Sequence, residues 1–204
     1  MERITRLGFM ILSLLREGDM HPYEMMRLMR QRHDDRFVAI SNGTFYHTVG
    51  RLERLGLLVE VGVDRAGNRP ERTTYALTDA GRAAVAEWVR RELPAVDRPD
   101  EFRVALAEAH NLERDEVVAL LRRRRAALAA MHREHDEMAT EAAEKAVPRQ
   151  FLVEVERDGV LLAAELAWLD DLITALVERA FPWGFDEFDG PTPSYLADRE
   201  EARR

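Results

Sequence analysis

The chain has 204 residues, 46% hydrophobic and 33% charged, with no cysteine; this suits a domain of about 100 residues plus a helical module with few strands, and it excludes disulfides and thiolate metal sites. The formal net charge of −8 is uneven, with 15 basic and 13 acidic residues up to position 93 and 15 and 25 after it. Charges more than about 8 Å apart are largely screened at physiological salt, so the acidic balance does not exclude a negatively charged partner for the N-terminal part.

Leu7, Met10, Ile11, Leu14 and Leu15 recur at helical spacing and Gly18 follows, which predicts a first helix of about ten residues. This apolar stretch is too short to cross a bilayer and runs straight into Arg16, Glu17 and Asp19; a cytoplasmic chain without a membrane partner is expected. Pro22 suits the first turn of a second helix through Met25, Met26, Leu28 and Met29, ending at the polar run 30–36. Ser41 is an N-cap candidate for a third helix, 42–55, with Phe45, Val49 and Leu52 on one face and Thr44, His47, Thr48 and Arg51 on the other. Gly56 ends it. Residues 57–63 and 73–77 favour strand, and 64–70, with Gly67 and Asn68, form a turn, giving a hairpin whose tip carries Arg65, Arg69 and Arg72. Thr78 caps a fourth helix that runs to Leu93.

Pro94 and Pro99 mark a linker. Beyond it a short helix is expected over 101–109 and a long one from 111 or 112 to 146. The long helix has apolar positions Val117, Leu121, Leu128, Met131, Met138 and Ala142, with Arg124 and His135 interrupting the seam. Pro148 breaks it, and the next helix carries Phe151, Val155, Leu162, Leu166, Leu169, Ile173 and Leu176 on one stripe. Long polar-backed helices derive their stability mainly from packing, so an antiparallel pair completed by a second subunit is expected, with Leu121, Leu128, Leu162, Leu166, Leu169 and Ile173 at the seam. The expected organisation is thus a mainly α protein: a winged helix-turn-helix with a two-stranded wing (1–93), a linker (94–100), a helical dimerisation domain (101–180) and a loosely held extension (181–204).

The motifs His21-Pro22-Tyr23-Glu24-Met25, Asn42-Gly43-Thr44-Phe45-Tyr46, Arg51-Leu52-Glu53, Leu55-Gly56-Leu57-Leu58, Arg72-Thr73-Thr74-Tyr75 and Leu77-Thr78-Asp79-Ala80-Gly81 follow one another in the order and spacing of one family. Over 7–93 the chain resembles the PadR family of transcriptional regulators, and its second half resembles the longer branch with a virulence-activator-type helical domain. Pro22 stands where that family usually has glycine. The resemblance implies a dimeric regulator, expected to be a repressor, on double-stranded DNA with a pseudo-palindromic operator; it also implies that Tyr46 meets the DNA backbone and that a small aromatic or lipophilic effector sits between the two halves.

An α-helix fits the major groove, so Ser41, Asn42, Gly43, Thr44, Tyr46, His47, Thr48 and Arg51 are the candidate DNA-binding residues on the third helix, with Arg65, Arg69 and Arg72 on the sugar-phosphate chain. Each has a plainer reading. Arg51 pairs with Glu53 or Glu60, Tyr46 is a core aromatic, the wing arginines form a solvated turn, and the run 122–125 is a solvated helix face rather than a second basic patch. Met25, Trp88 and Trp168 are effector candidates by residue type alone. His132, His135 and Asp136 lack the further ligands of a metal site, so no metal or cofactor is expected. With no phosphate loop, nucleophile elbow or Cys/His pair, neither is catalysis. The competing reading is a winged helix that binds protein instead of DNA.

Overall fold

A computed structural model describes residues 4–64, 72–184, 187, 190 and 193–203, with 63, 64, 72 and 193–195 described by backbone alone. Helix α1 spans Arg6–Leu14 and starts where the Thr5 hydroxyl accepts from the Gly8 amide. Every residue from Leu7 to Leu14 is buried, and Phe9 stacks on Trp88 with ring centroids 4.0 Å apart. Helix α2 (Pro22–Gln31) has Pro22 in its first turn, and the His21 Nδ1 accepts from the Glu24 amide. Helix α3 (Asn42–Arg54) ends in a paired reverse turn: Gly56, at φ 69°, donates to the Glu53 carbonyl and Leu57 to that of Leu52. Only glycine takes this left-handed position without steric penalty.

The chain then forms an antiparallel hairpin, β1 (Leu58–Asp64) and β2 (Arg72–Leu77), with a register shift between Glu60 and Gly62. Met20 forms an isolated antiparallel bridge to β2, exchanging backbone hydrogen bonds with Tyr75. Thr78 sets the angle between the hairpin and α4 (Asp79–Glu92): its hydroxyl donates to the Gly56 carbonyl and accepts from the Gly81 amide, which caps the helix. Gly81 lies so close to the turn before β1 that a Cβ there would sit 2.1 Å from the Leu57 carbonyl oxygen. The Leu-Thr-Asp-Ala-Gly motif is therefore a steric and hydrogen-bonded joint between wing and helix.

Within 94–100, expected as a linker, Ala95 and Arg98 are held by neighbouring helices and Pro99 already opens the next one. Arg98 bonds the fully buried Glu92 carboxylate, and Arg124 donates to the Ala95 carbonyl. Helix α5 (Pro99–Ala107) follows, and Ser13 of α1 donates to Glu108 just past its end at 2.7 Å. Helices α6 (Arg114–Glu144) and α7 (Val153–Val177) form the expected antiparallel pair. Arg124, a seam interruption in the sequence, is buried: it bonds Glu165 of α7 and stands 3.5 Å over the Phe102 ring of α5. Arg124 therefore corrects the solvated reading of the run 122–125, whereas Arg122 and Arg123 are exposed. Arg114 donates to the carbonyls of Leu176 and Phe181 at the C-terminal end of α7, a site favourable for a cation.

Further out, His135 meets the Val155 carbonyl, and a Cβ on Gly159 would lie 2.5 Å from its ring, so glycine lets the helices close there. Met131 and Met138, expected on the seam, are exposed instead. Part of the expected loose extension is also ordered. Helix α8 (Pro193–Arg203) packs on α2: Glu24, buried, accepts from Arg203 and pairs with Arg199, which also donates to the Glu17 carbonyl. Desolvating a carboxylate requires such partners, and Glu24 finds them nearly the full chain length away. Among the described residues no helix is long and apolar enough to cross a membrane.

Candidate nucleic-acid interface

The sequence of α3 separates one wall of the core from one open face. Phe45, Val49 and Leu52 are buried against α1 and α2, as the spacing predicts. Thr48 joins them, which corrects its expected place outside. It lies three residues after Phe45 and four before Leu52, and its hydroxyl is satisfied by donating to the Thr44 carbonyl at 2.7 Å, so its burial leaves no polar group unpaired.

Ser41, Asn42, Gly43, Thr44, Tyr46 and His47 are all exposed, Tyr46 at 52% of its surface. Two of them also have local work. The Ser41 hydroxyl accepts from the Thr44 amide and donates to the Thr44 hydroxyl, and Asn42 Oδ1 accepts from Arg30 at 3.5 Å. Tyr46 is thus not a core aromatic. The outermost line of the helix runs Gly43, Tyr46 and His47, Gly50, Arg54, at steps of three and four residues. Sequence reasoning missed Arg54, although its place seven residues after His47, in the last turn, was the available signal.

Arg51 is half-buried and turns from this line into a cleft of about 680 Å³ between α3, the turn after α2 and the start of α5. Arg6, Asp35, Arg36 and Asp100 share the cleft, and Arg6 pairs with Asp100 at 2.9 Å. The flank is thus of mixed charge. On α2, Tyr23 is 44% exposed and stacks beside His21, with the Arg27 guanidinium 5.9 Å from its ring. Helices α2 and α3 thus expose aromatic hydroxyls, an imidazole and arginines, groups that hydrogen-bond to phosphates and base edges.

The wing arginines fall differently. Arg65 and Arg69 lie outside the described residues, and Arg72 is described only as the first backbone position of β2. The effector candidates are not brought together: Met25 and Trp88 are packed in the core, and Trp168 is 42% exposed on α7. Of the expected dimer residues, Leu121, Leu128, Leu169 and Ile173 are buried within one chain, because α6 and α7 cover each other's stripe. They are corrected to intrachain contacts, while Leu162 and Leu166 stay half-buried. His132 pairs with Asp136 at 3.0 Å, and no cluster of three or more metal-ligating side chains occurs among the described residues.

Residues 11–87 match the family model described as the transcriptional regulator PadR-like family. No curated protein matches the chain. Among solved structures it is similar to Bacillus subtilis PadR in complex with operator DNA, at 18% identity over 86% of this chain and 99% of that one, TM-score 0.42. It is also similar to smu.1604c from Streptococcus mutans UA159, at 20% identity over 85% and 97%, TM-score 0.38. A third is Bacillus subtilis PadR in complex with p-coumaric acid, at 18% identity over 84% and 99%, TM-score 0.38.

Proposed function

We propose that this chain, whose residues 11–87 match the model of the transcriptional regulator PadR-like family, is a sequence-specific DNA-binding regulator that represses as a homodimer on a pseudo-palindromic operator. The observation that carries this reading is the split of α3 into a buried face and an open face bearing Tyr46, His47 and Arg54. The open face enters the major groove, Tyr46 and Tyr23 reach phosphates, and His47 and Arg54 meet base edges. Arg51 contributes from the flank, and the wing arginines add affinity without sequence choice.

The second copy docks on the outer side of the α6–α7 pair, where Val160 is 68% exposed, Leu161 49% and Trp168 42%, beside half-buried Leu162 and Leu166. This stripe replaces the one expected from the sequence as the seam. Control by a small molecule is assigned to the cavity of about 330 Å³ lined by Arg16, His110, Asn111, Arg114, Trp183 and Glu187, whose arginines and indole suit an aromatic acid better than a purely lipophilic ligand. No catalytic step belongs to the proposal.

The test is selection of duplexes from a random-sequence pool by the purified protein. The recovered sequences are expected to hold two inverted half-sites about one helical turn, or a multiple, apart. Recovery of no enriched sequence, together with salt-independent association with a protein partner, supports the alternative of a protein-binding winged helix.

A further inference from the structure

Gly50 sits in the middle of α3, where glycine is less favourable than alanine. Neither usual reason for a helical glycine applies to it. Its φ is not positive, and a Cβ built on it meets only Arg54 Nη1, at 3.8 Å, an ordinary contact with the end of a flexible side chain. Gly81 and Gly159 are the counterexamples within the same chain, since a Cβ there would lie 2.1 Å from the Leu57 carbonyl oxygen and 2.5 Å from the His135 ring. Packing demands glycine at those two positions and is indifferent to it at Gly50.

The position is partly exposed and central to the open face. Tyr46 and His47 lie one turn before it and Arg54 one turn after, all three exposed. Helix and groove have nearly the same width, about 10–12 Å and about 12 Å, so a side chain on the centre line limits how deep the helix sits. We propose that Gly50 is the point where α3 comes closest to the base pairs: its missing side chain lets the helix sink until His47 and Arg54, on either side, reach base edges. Gly50 is then a specificity-determining position acting through those two, an inference that rests on the DNA-binding reading of α3.

The experiment compares the wild type with Gly50→Ala and Gly50→Leu on two duplexes at one salt concentration, the selected sequence and a mixed-sequence fragment, and records Tm for each protein. The alanine variant is expected to raise Tm by about 2 °C and the leucine variant to leave the fold intact. Binding to the selected duplex falls roughly 5-fold for alanine and 50-fold or more for leucine, the range of a lost base contact. Binding to the mixed-sequence fragment, which is set by phosphate charge, changes far less. Wild-type affinity in both variants overturns this inference alone. A fall in Tm for Gly50→Ala overturns it too, by assigning the glycine to the fold. A wild-type protein that binds neither duplex overturns the DNA-binding reading and this inference with it.

Discussion

The winged-helix half and the outer part of the α6–α7 pair have comparable apolar sequence but handle it in opposite ways. In the first, Phe9, Ile11, Leu12, Met25, Leu28 and Phe45 are all fully buried and the chain closes its own core. In the second, α7 buries Leu169, Ile173 and Leu176 near its end, but Phe151 in the turn before it and Val153, Val160 and Leu161 along it are exposed, with ion pairs such as Arg125–Asp170 on the surface. Exposed apolar side chains that cluster on one surface mark an interaction site. The difference separates a region complete within the chain from one that, in the proposed dimer, the second copy covers.

The sharpest way to break this contrast is at the joint of the self-contained half. Gly81→Ala drives a methyl into the Leu57 carbonyl and into Leu77 Cδ1, 2.6 Å away, and the expected loss is about 3 kcal/mol of stability. Chemical denaturation checks it, and a change within about 0.5 kcal/mol, as at an ordinary surface site, contradicts the close approach. The complementary change is Val160→Glu combined with Leu161→Glu on the exposed strip. It is expected to lower the apparent mass of the protein in sedimentation to that of a monomer while leaving Tm of the winged-helix half nearly unchanged. A variant that keeps the wild-type mass removes this strip as the seam.

A smaller effect comes from Asp34, in the turn after α2, whose carboxyl burial pushes up to about 6, with Glu108 and Glu17 adding to the rise and Arg32 and Arg36 opposing it. Its proton is held more tightly in the folded than in the unfolded chain, where the usual value is about 3.9. The stabilising contribution is therefore complete below about pH 4 and lost as pH rises through about 6. Asp34→Asn is expected to add about 1 kcal/mol at pH 7.5, discounted for partial exposure, and almost nothing at pH 4. The same gain at both values contradicts the assignment.

The contrast also explains what was legible in the sequence. Local signals carried the winged helix: Ser41 and Thr78 cap the helices they announce, Pro22 opens α2 and Gly56 closes α3. Thr48 was misplaced because a hydroxyl reads as polar, whereas its position between Phe45 and Leu52 is that of the core and its bond to the Thr44 carbonyl makes burial possible. The second half depended on long-range partners. Arg124 looked like a defect in the seam until Glu165 and Phe102 surround it, and nothing near Glu24 announces Arg199 and Arg203. Leu121, Leu128, Leu169 and Ile173 read in the sequence as a seam between chains and are covered within one, because one periodic pattern serves equally for packing within a chain and between chains.

The central claim is that the outer line of α3 carries the contact with DNA, and Arg54 tests it most directly because no sequence motif pointed to it. Affinity for the selected duplex is to be measured against salt concentration for the wild type and Arg54→Ala. The account predicts a steep linear fall of log affinity with log salt for the wild type, and for the variant a loss of roughly 5-fold or more together with relaxed preference at one base pair of each half-site. Equal affinity, equal salt slope and equal base preference in the two proteins contradict it.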